Sequence, residues 1–124
     1  MKSKGLLQKS DLKNFVIQSL EDDKALDIEA IALDDQVGLA DFIIIASGTS
    51  STQTIRMAEK LKERLHGRDI TDIRIEGAAQ GDWVVVDAGD VIIHLFRPEV
   101  REFYNIEKMW MMDQPSSSSP LHSA

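Results

Sequence analysis

Asp87 and Asp90 bracket an Ala-Gly pair between two runs of β-branched residues, and two carboxylates so close together could hold a divalent cation. Upstream, Ser47-Gly48-Thr49-Ser50-Ser51 precedes a helical pattern, and the free N–H groups at such a helix start could receive a phosphate. Together they would suit metal-dependent nucleotide chemistry. Each also has a plainer reading. Aspartate commonly flanks tight turns and accepts a hydrogen bond from the local backbone, and serine at a helix start is a capping residue. A nucleotidyl-transfer site would carry an Asp-x-Asp pair shortly after the Gly-Ser turn, to hold Mg²⁺ on a triphosphate. After Gly48 the chain has no acid before Glu59, and no lysine completes a phosphate-loop motif. No serine–histidine–acid set and no histidine-rich metal set can be assembled. The expectation is therefore a protein that is not an enzyme, with no catalytic residue, metal or cofactor. A metal-dependent nucleotide-binding enzyme is the rival.

The same stretch carries the side chains of a contact surface. A hairpin with an Ala88-Gly89 loop pairs Asp87 with Asp90, Val85 with Ile92 and Trp83 with His94. Side chains alternate across a strand, so Val84, Val86, Val91, Ile93 and Leu95 form one apolar face. Trp83, Val85, Asp87, Asp90, Ile92 and His94 form the other. A strand tryptophan is more often core than interface, but the opposite face already supplies the core. Trp83 then becomes a partly exposed aromatic anchor, the residue type that dominates interface energetics. His94 alone reads as a packed histidine; beside Trp83 it joins the same patch.

Pro98 opens a last helix. At 100° per residue, Val100, Phe103, Tyr104, Ile106 and Trp110 share an arc, and Glu107 falls inside it. A carboxylate on an apolar stripe is costly to bury unpaired. Either it bonds a neighbour such as Tyr104 or Trp110, or that part of the arc waits for a partner. Arg101 is expected at the surface, pairing with Glu102 or Glu107 and contributing little. The candidate contact set is Trp83, Asp87, Asp90, His94, Tyr104 and Glu107.

Charge says what such a partner would be. The chain has 21 acids and 14 bases, a net charge of −7. From Glu76 to Glu107 there are seven acids and two arginines, which would steer a basic surface toward this half. A solubilising surface is the alternative. Direct nucleic-acid specificity is not expected, because phosphate contacts need clustered Lys and Arg. Cysteine is absent, which removes disulfides, thiol catalysis and cysteine metal sites. No apolar run approaches the roughly 18 residues of a membrane span, and the N-terminus lacks the apolar core of a secretory signal. A cytoplasmic location is expected.

These residues need a scaffold, and 124 residues with 43% hydrophobic content make one domain with a real core. Ser10 or Asp11 can cap a helix whose Leu12, Phe15, Val16 and Leu20 share a face, ending near Asp22 and Asp23, which oppose its dipole. Ile28–Leu33 reads as a strand, residues 34–38 as a turn-rich loop, and Phe42–Ala46 as a strand covered on both faces. A second helix over Ser51–His66 buries Ile55, Ala58, Leu61 and Leu65, with Gly67 as its stop. Ile73–Glu76 and the hairpin add three strands. The order α-β-β-α-β-β-β-α predicts a single α/β domain, a mixed sheet of about five strands with flanking helices. Residues 1–9 are expected to be flexible, 10–112 to form the domain, and the Ser/Pro-rich 113–124 to be disordered.

In this order the chain resembles the ribosomal silencing factor, or Iojap-like, family. The resemblance rests on Ala40-Asp41-Phe42-Ile43-Ile44-Ile45-Ala46-Ser47-Gly48-Thr49-Ser50, Glu76-Gly77, Gly81-Asp82-Trp83-Val84-Val85-Val86-Asp87, Gly89-Asp90-Val91-Ile92-Ile93-His94 and Arg101–Trp110. It covers about residues 11–110. Each piece is common alone; their order and spacing are specific. It implies a nucleotidyltransferase-like topology without that activity. It also implies a translational repressor that binds the large ribosomal subunit through its protein number fourteen and blocks subunit joining. The alternative is large-subunit assembly, part of ribosome biogenesis, as for organellar relatives. A homodimer when free is also implied. Ala88 departs from the family, where a larger residue is commoner; at a hairpin tip it would alter a contact, not the fold.

Overall fold

The computed structural model describes residues 9–33 and 40–104, with side chains described for 11–33 and 40–101. The loop expected at 34–38, the tail, Glu107 and Trp110 lie outside the described residues. Among the described residues eight elements follow the expected order: α1 (Lys9–Asp22), β1 (Leu26–Ala32), β2 (Phe42–Ser47), α2 (Ser51–His66), β3 (Arg74–Glu76), β4 (Trp83–Asp87), β5 (Val91–Phe96) and α3 (Pro98–Tyr104). The sheet runs β1-β2-β5-β4-β3. Its one parallel pair is β2 with β5; the others are antiparallel. The chain is thus a single α/β domain on a five-stranded mixed sheet. Among the described residues no helix is long and apolar enough to cross a membrane.

Periodicity explains the main core. Leu12, Val16 and Leu20 of α1 and Met57, Ala58, Leu61 and Leu65 of α2 pack on Ile44, Ala46, Val84, Val86, Val91, Ile93 and Leu95. Both helices therefore cover one face of the sheet. The other face carries a smaller core of Ile43, Ile45 and Phe96, against which Ile31, Leu33, Trp83 and Val100 pack. So β2 is covered on both sides, as its unbroken apolar run requires.

The helix ends carry two corrections. α1 begins at Lys9, which puts Ser10 and Asp11 inside its first turn, where an acid suits the dipole. Gly67 caps α2 where expected, directly after His66, but it stays right-handed at φ −66° and does not reverse the chain. The reversal falls on Asp69 at φ 67°. There the Ile70 N–H donates to the Leu65 carbonyl at 3.0 Å and the Asp69 N–H to that of His66 at 3.0 Å, which absorbs the last carbonyls of the helix. α1 ends the same way at Lys24, with φ 68°. Arg64 then ties the two helices together. Its guanidinium donates to both oxygens of Asp23, at 2.9 and 3.2 Å, and to the Ser19 hydroxyl at 2.7 Å.

The hairpin register differs from the one expected. Trp83 lies opposite Phe96, Val85 opposite His94 and Asp87 opposite Ile92. Ala88 is bonded to Val91 instead, its N–H donating to that carbonyl at 3.0 Å, and Gly89-Asp90 is the loop. Gly89 supplies φ 88° at the first loop position, as glycine-first two-residue loops require. The Asp87 carboxylate accepts its N–H at 2.9 Å. The pairing has moved by two residues, and because alternation has period two, no side chain changes face. Val84, Val86, Val91, Ile93 and Leu95 are all fully buried. Ala88 is only 8% exposed and belongs to the main core, so this position packs inward and is not the tip contact expected.

Candidate docking surface

The face of the sheet away from α1 and α2 is only partly covered by the described residues. Trp83, Val85, Asp87, Ile92 and His94 point to it and are all half-buried. Although Trp83 is not directly opposite His94, the two meet on the diagonal. The Trp83 indole N–H donates to His94 Nδ1 at 3.0 Å, with the ring centroids 6.0 Å apart. Phe96 lies under both, its centroid 4.9 Å from Trp83 and 6.1 Å from His94. A buried phenylalanine thus supports two half-exposed rings, a rigid aromatic step of the kind that anchors interfaces.

That hydrogen bond sets the histidine chemistry. Nδ1 accepts, so the neutral imidazole carries its proton on Nε2. Burial pushes its pKa from 6.5 down to about 4. The unfolded chain therefore takes up a proton on His94 before the folded one does. The associated stability is complete above pH 6.5, declines as pH falls, and is exhausted near pH 4. It amounts to at most roughly 3 kcal/mol, at 1.36 kcal/mol per unit. Urea titrations over this range should show a stability loss in the parent chain that His94→Gln lacks; parallel pH curves for the two would contradict it.

The other candidates separate. Asp87 shares the face of Trp83 but lies at the far end of β4, about 13 Å away at strand rise. Its carboxylate serves the turn through Gly89. Asp90 is exposed at the tip. Tyr104 closes α3; its side chain, like Glu107, lies outside the described set. The Ser47–Ser51 segment is occupied by its own caps. Ser50 Oγ accepts the Gln53 N–H at 3.1 Å, and Gln53 Oε1 reaches back to the Thr49 N–H at 2.6 Å. Those donors are therefore not available to a phosphate.

Three residues that position this surface were missed by sequence reasoning. Arg101 is not at the surface: it is 8% exposed, and its guanidinium donates to the buried Ser47 hydroxyl at 2.9 Å. This pins α3 to the end of β2. Asp82 accepts from Arg97 Nε at 3.0 Å and from the Ser51 hydroxyl at 3.2 Å. Arg97 also pairs with Glu99 at 2.8 Å. Helix α2, the approach to β4 and the start of α3 are thereby laced together beside Trp83. The signal available in sequence was two arginines flanking Pro98 in an otherwise acidic stretch.

The fold and this surface define a small α/β domain with an aromatic step on a partly open sheet face. The chain belongs to the ribosomal silencing factor family: the family model described as ribosomal silencing factor during starvation matches residues 7–123. It is 50% identical over 114 residues to a ribosomal silencing factor of Zymomonas mobilis, covering 89% of this chain and 86% of that one. It is 33% identical over 102 residues to a mouse protein named mitochondrial assembly of ribosomal large subunit protein 1, covering 80% of this chain and 45% of that one. A crystal structure from Chromobacterium violaceum has the same fold, with a TM-score of 0.80 at 34% identity over 87% of this chain and 90% of that one.

Proposed function

We propose that this chain represses translation by occupying the large ribosomal subunit, in the cytoplasm, through its basic protein number fourteen, so that the small subunit cannot join. The observation that carries the reading is the Trp83–His94 step on the partly covered sheet face, set in a stretch, Glu76–Glu107, with seven acids and two arginines. Aromatic rings would anchor it and carboxylates would orient it against basic side chains. The mechanism is steric and uses no catalytic step. Family membership supports a silencing role. A second role, in large-subunit assembly, is favoured by the name of the mouse relative and would use the same contact.

Sedimentation tests this. The protein should travel with free large subunits and not with intact ribosomes, and added salt should weaken the association. Co-migration with intact ribosomes, or affinity indifferent to salt, would contradict the proposed contact.

A further inference from the structure

Beside Trp83 a groove of about 620 Å³ opens between the end of β3, the start of β4 and α3. Its apolar wall is Trp83, Val85 and Val100, and Glu76, Asp82 and Glu99 bring carboxylates to it. Among the described residues no lysine or arginine lines it. Arg97 bonds Asp82 and Glu99, which offsets one of the three charges. Glu76 is exposed and makes no ion pair among the described residues. Among the described residues the groove is therefore an indole with an aliphatic wall and a net charge of about two negative units, three carboxylates against Arg97.

That combination selects its occupant by chemistry. A long side chain with a methylene stem and a cationic head matches an apolar wall with acids around it. An aromatic face attracts such a head. A guanidinium does so better than an ammonium, because it is planar, stacks on rings and forks onto carboxylates. We propose that this groove receives one arginine side chain of the basic protein partner, stacked against Trp83 and held by Glu76 and Glu99. The proposal rests on the docking reading above and adds to it a specific seat, outside the aspartates of the hairpin.

The test uses the full chain and two probes, N-acetyl-arginine methylamide and its uncharged citrulline analogue. The indole N–H resonance of Trp83, assigned with Trp110→Phe, should move with the arginine probe at millimolar concentration and stay still with citrulline. Glu76→Gln/Glu99→Gln should abolish the shift and weaken association with large subunits roughly tenfold, with an unchanged circular dichroism spectrum. No arginine shift, or an equal one with citrulline, overturns the proposal. So does a double variant that binds subunits as tightly as the parent chain. So does one that loses only self-association, which would make the groove a contact between copies. If the arginine probe binds but the parent chain never sediments with large subunits, the cation seat stands and the ribosomal reading fails.

Discussion

Trp83→Ala is expected to weaken association with the large ribosomal subunit by about thirtyfold or more, the loss that defines an interface hot spot at 2 kcal/mol. The ring is held from two sides, by Phe96 at 4.9 Å and by the hydrogen bond to His94 at 3.0 Å. It therefore meets a partner already ordered, and little rotamer entropy is lost on contact. Alanine removes that surface and leaves His94 Nδ1 without its donor. Some stability goes too, because Trp83 packs on the smaller core. Trp83→Phe separates the two effects. It keeps a six-membered ring on Phe96 and loses the pyrrole half of the indole with its N–H to His94, so the fold should hold and binding should fall less than with alanine. A folded Trp83→Ala protein that binds subunits normally would remove Trp83 from the contact.

Gly77→Ala is expected to have the largest effect on the fold. Gly77 has φ 85°, and a Cβ there would lie 2.2 Å from the backbone carbonyl oxygen of Trp83. Backbone cannot yield as a flexible side chain can, so the β3–β4 turn must open. Clash and conformational strain together should cost about 3 kcal/mol or more, a large part of a total stability of roughly 5–15 kcal/mol. Gly89→Ala is the control. Its φ is 88°, yet nothing lies within 4 Å of the added atom, so only the strain of roughly 1–2 kcal/mol should appear. Urea denaturation of both variants would read the difference. Equal losses would mean that the close approach to Trp83 is not what Gly77 serves. Any Gly77→Ala protein that folds should also bind subunits poorly, since the clash falls on the residue that carries the anchor.

Much of the scaffold was legible because it rests on periodicity. Leu12, Val16 and Leu20 repeat as a helix face, Ser51–His66 is bounded by a serine cap, and the valine–isoleucine face of the hairpin is fully buried. The register was not legible, since Ala88-Gly89 and Gly89-Asp90 are both plausible loops and a two-residue shift leaves the alternation intact. The choice depends on the Asp87 carboxylate reaching Gly89. The end of α2 fell as expected, directly before Gly67, but the left-handed reversal comes two residues later, at Asp69.

The candidate site was legible in part. Trp83 and His94 do meet, through a diagonal contact that an incorrect register still brought close. Arg101 was misplaced because its partner Ser47 is 54 residues away, beyond any local pattern. The groove escaped for the same reason, as it joins the end of β3 to α3.

The most direct test of the central claim is subunit joining followed by light scattering. Purified large subunits are saturated with the full chain and then mixed with small subunits. Joining should fall in proportion to occupancy, and Trp83→Ala at the same concentration should restore it. Normal joining by large subunits that demonstrably carry the protein would contradict the account.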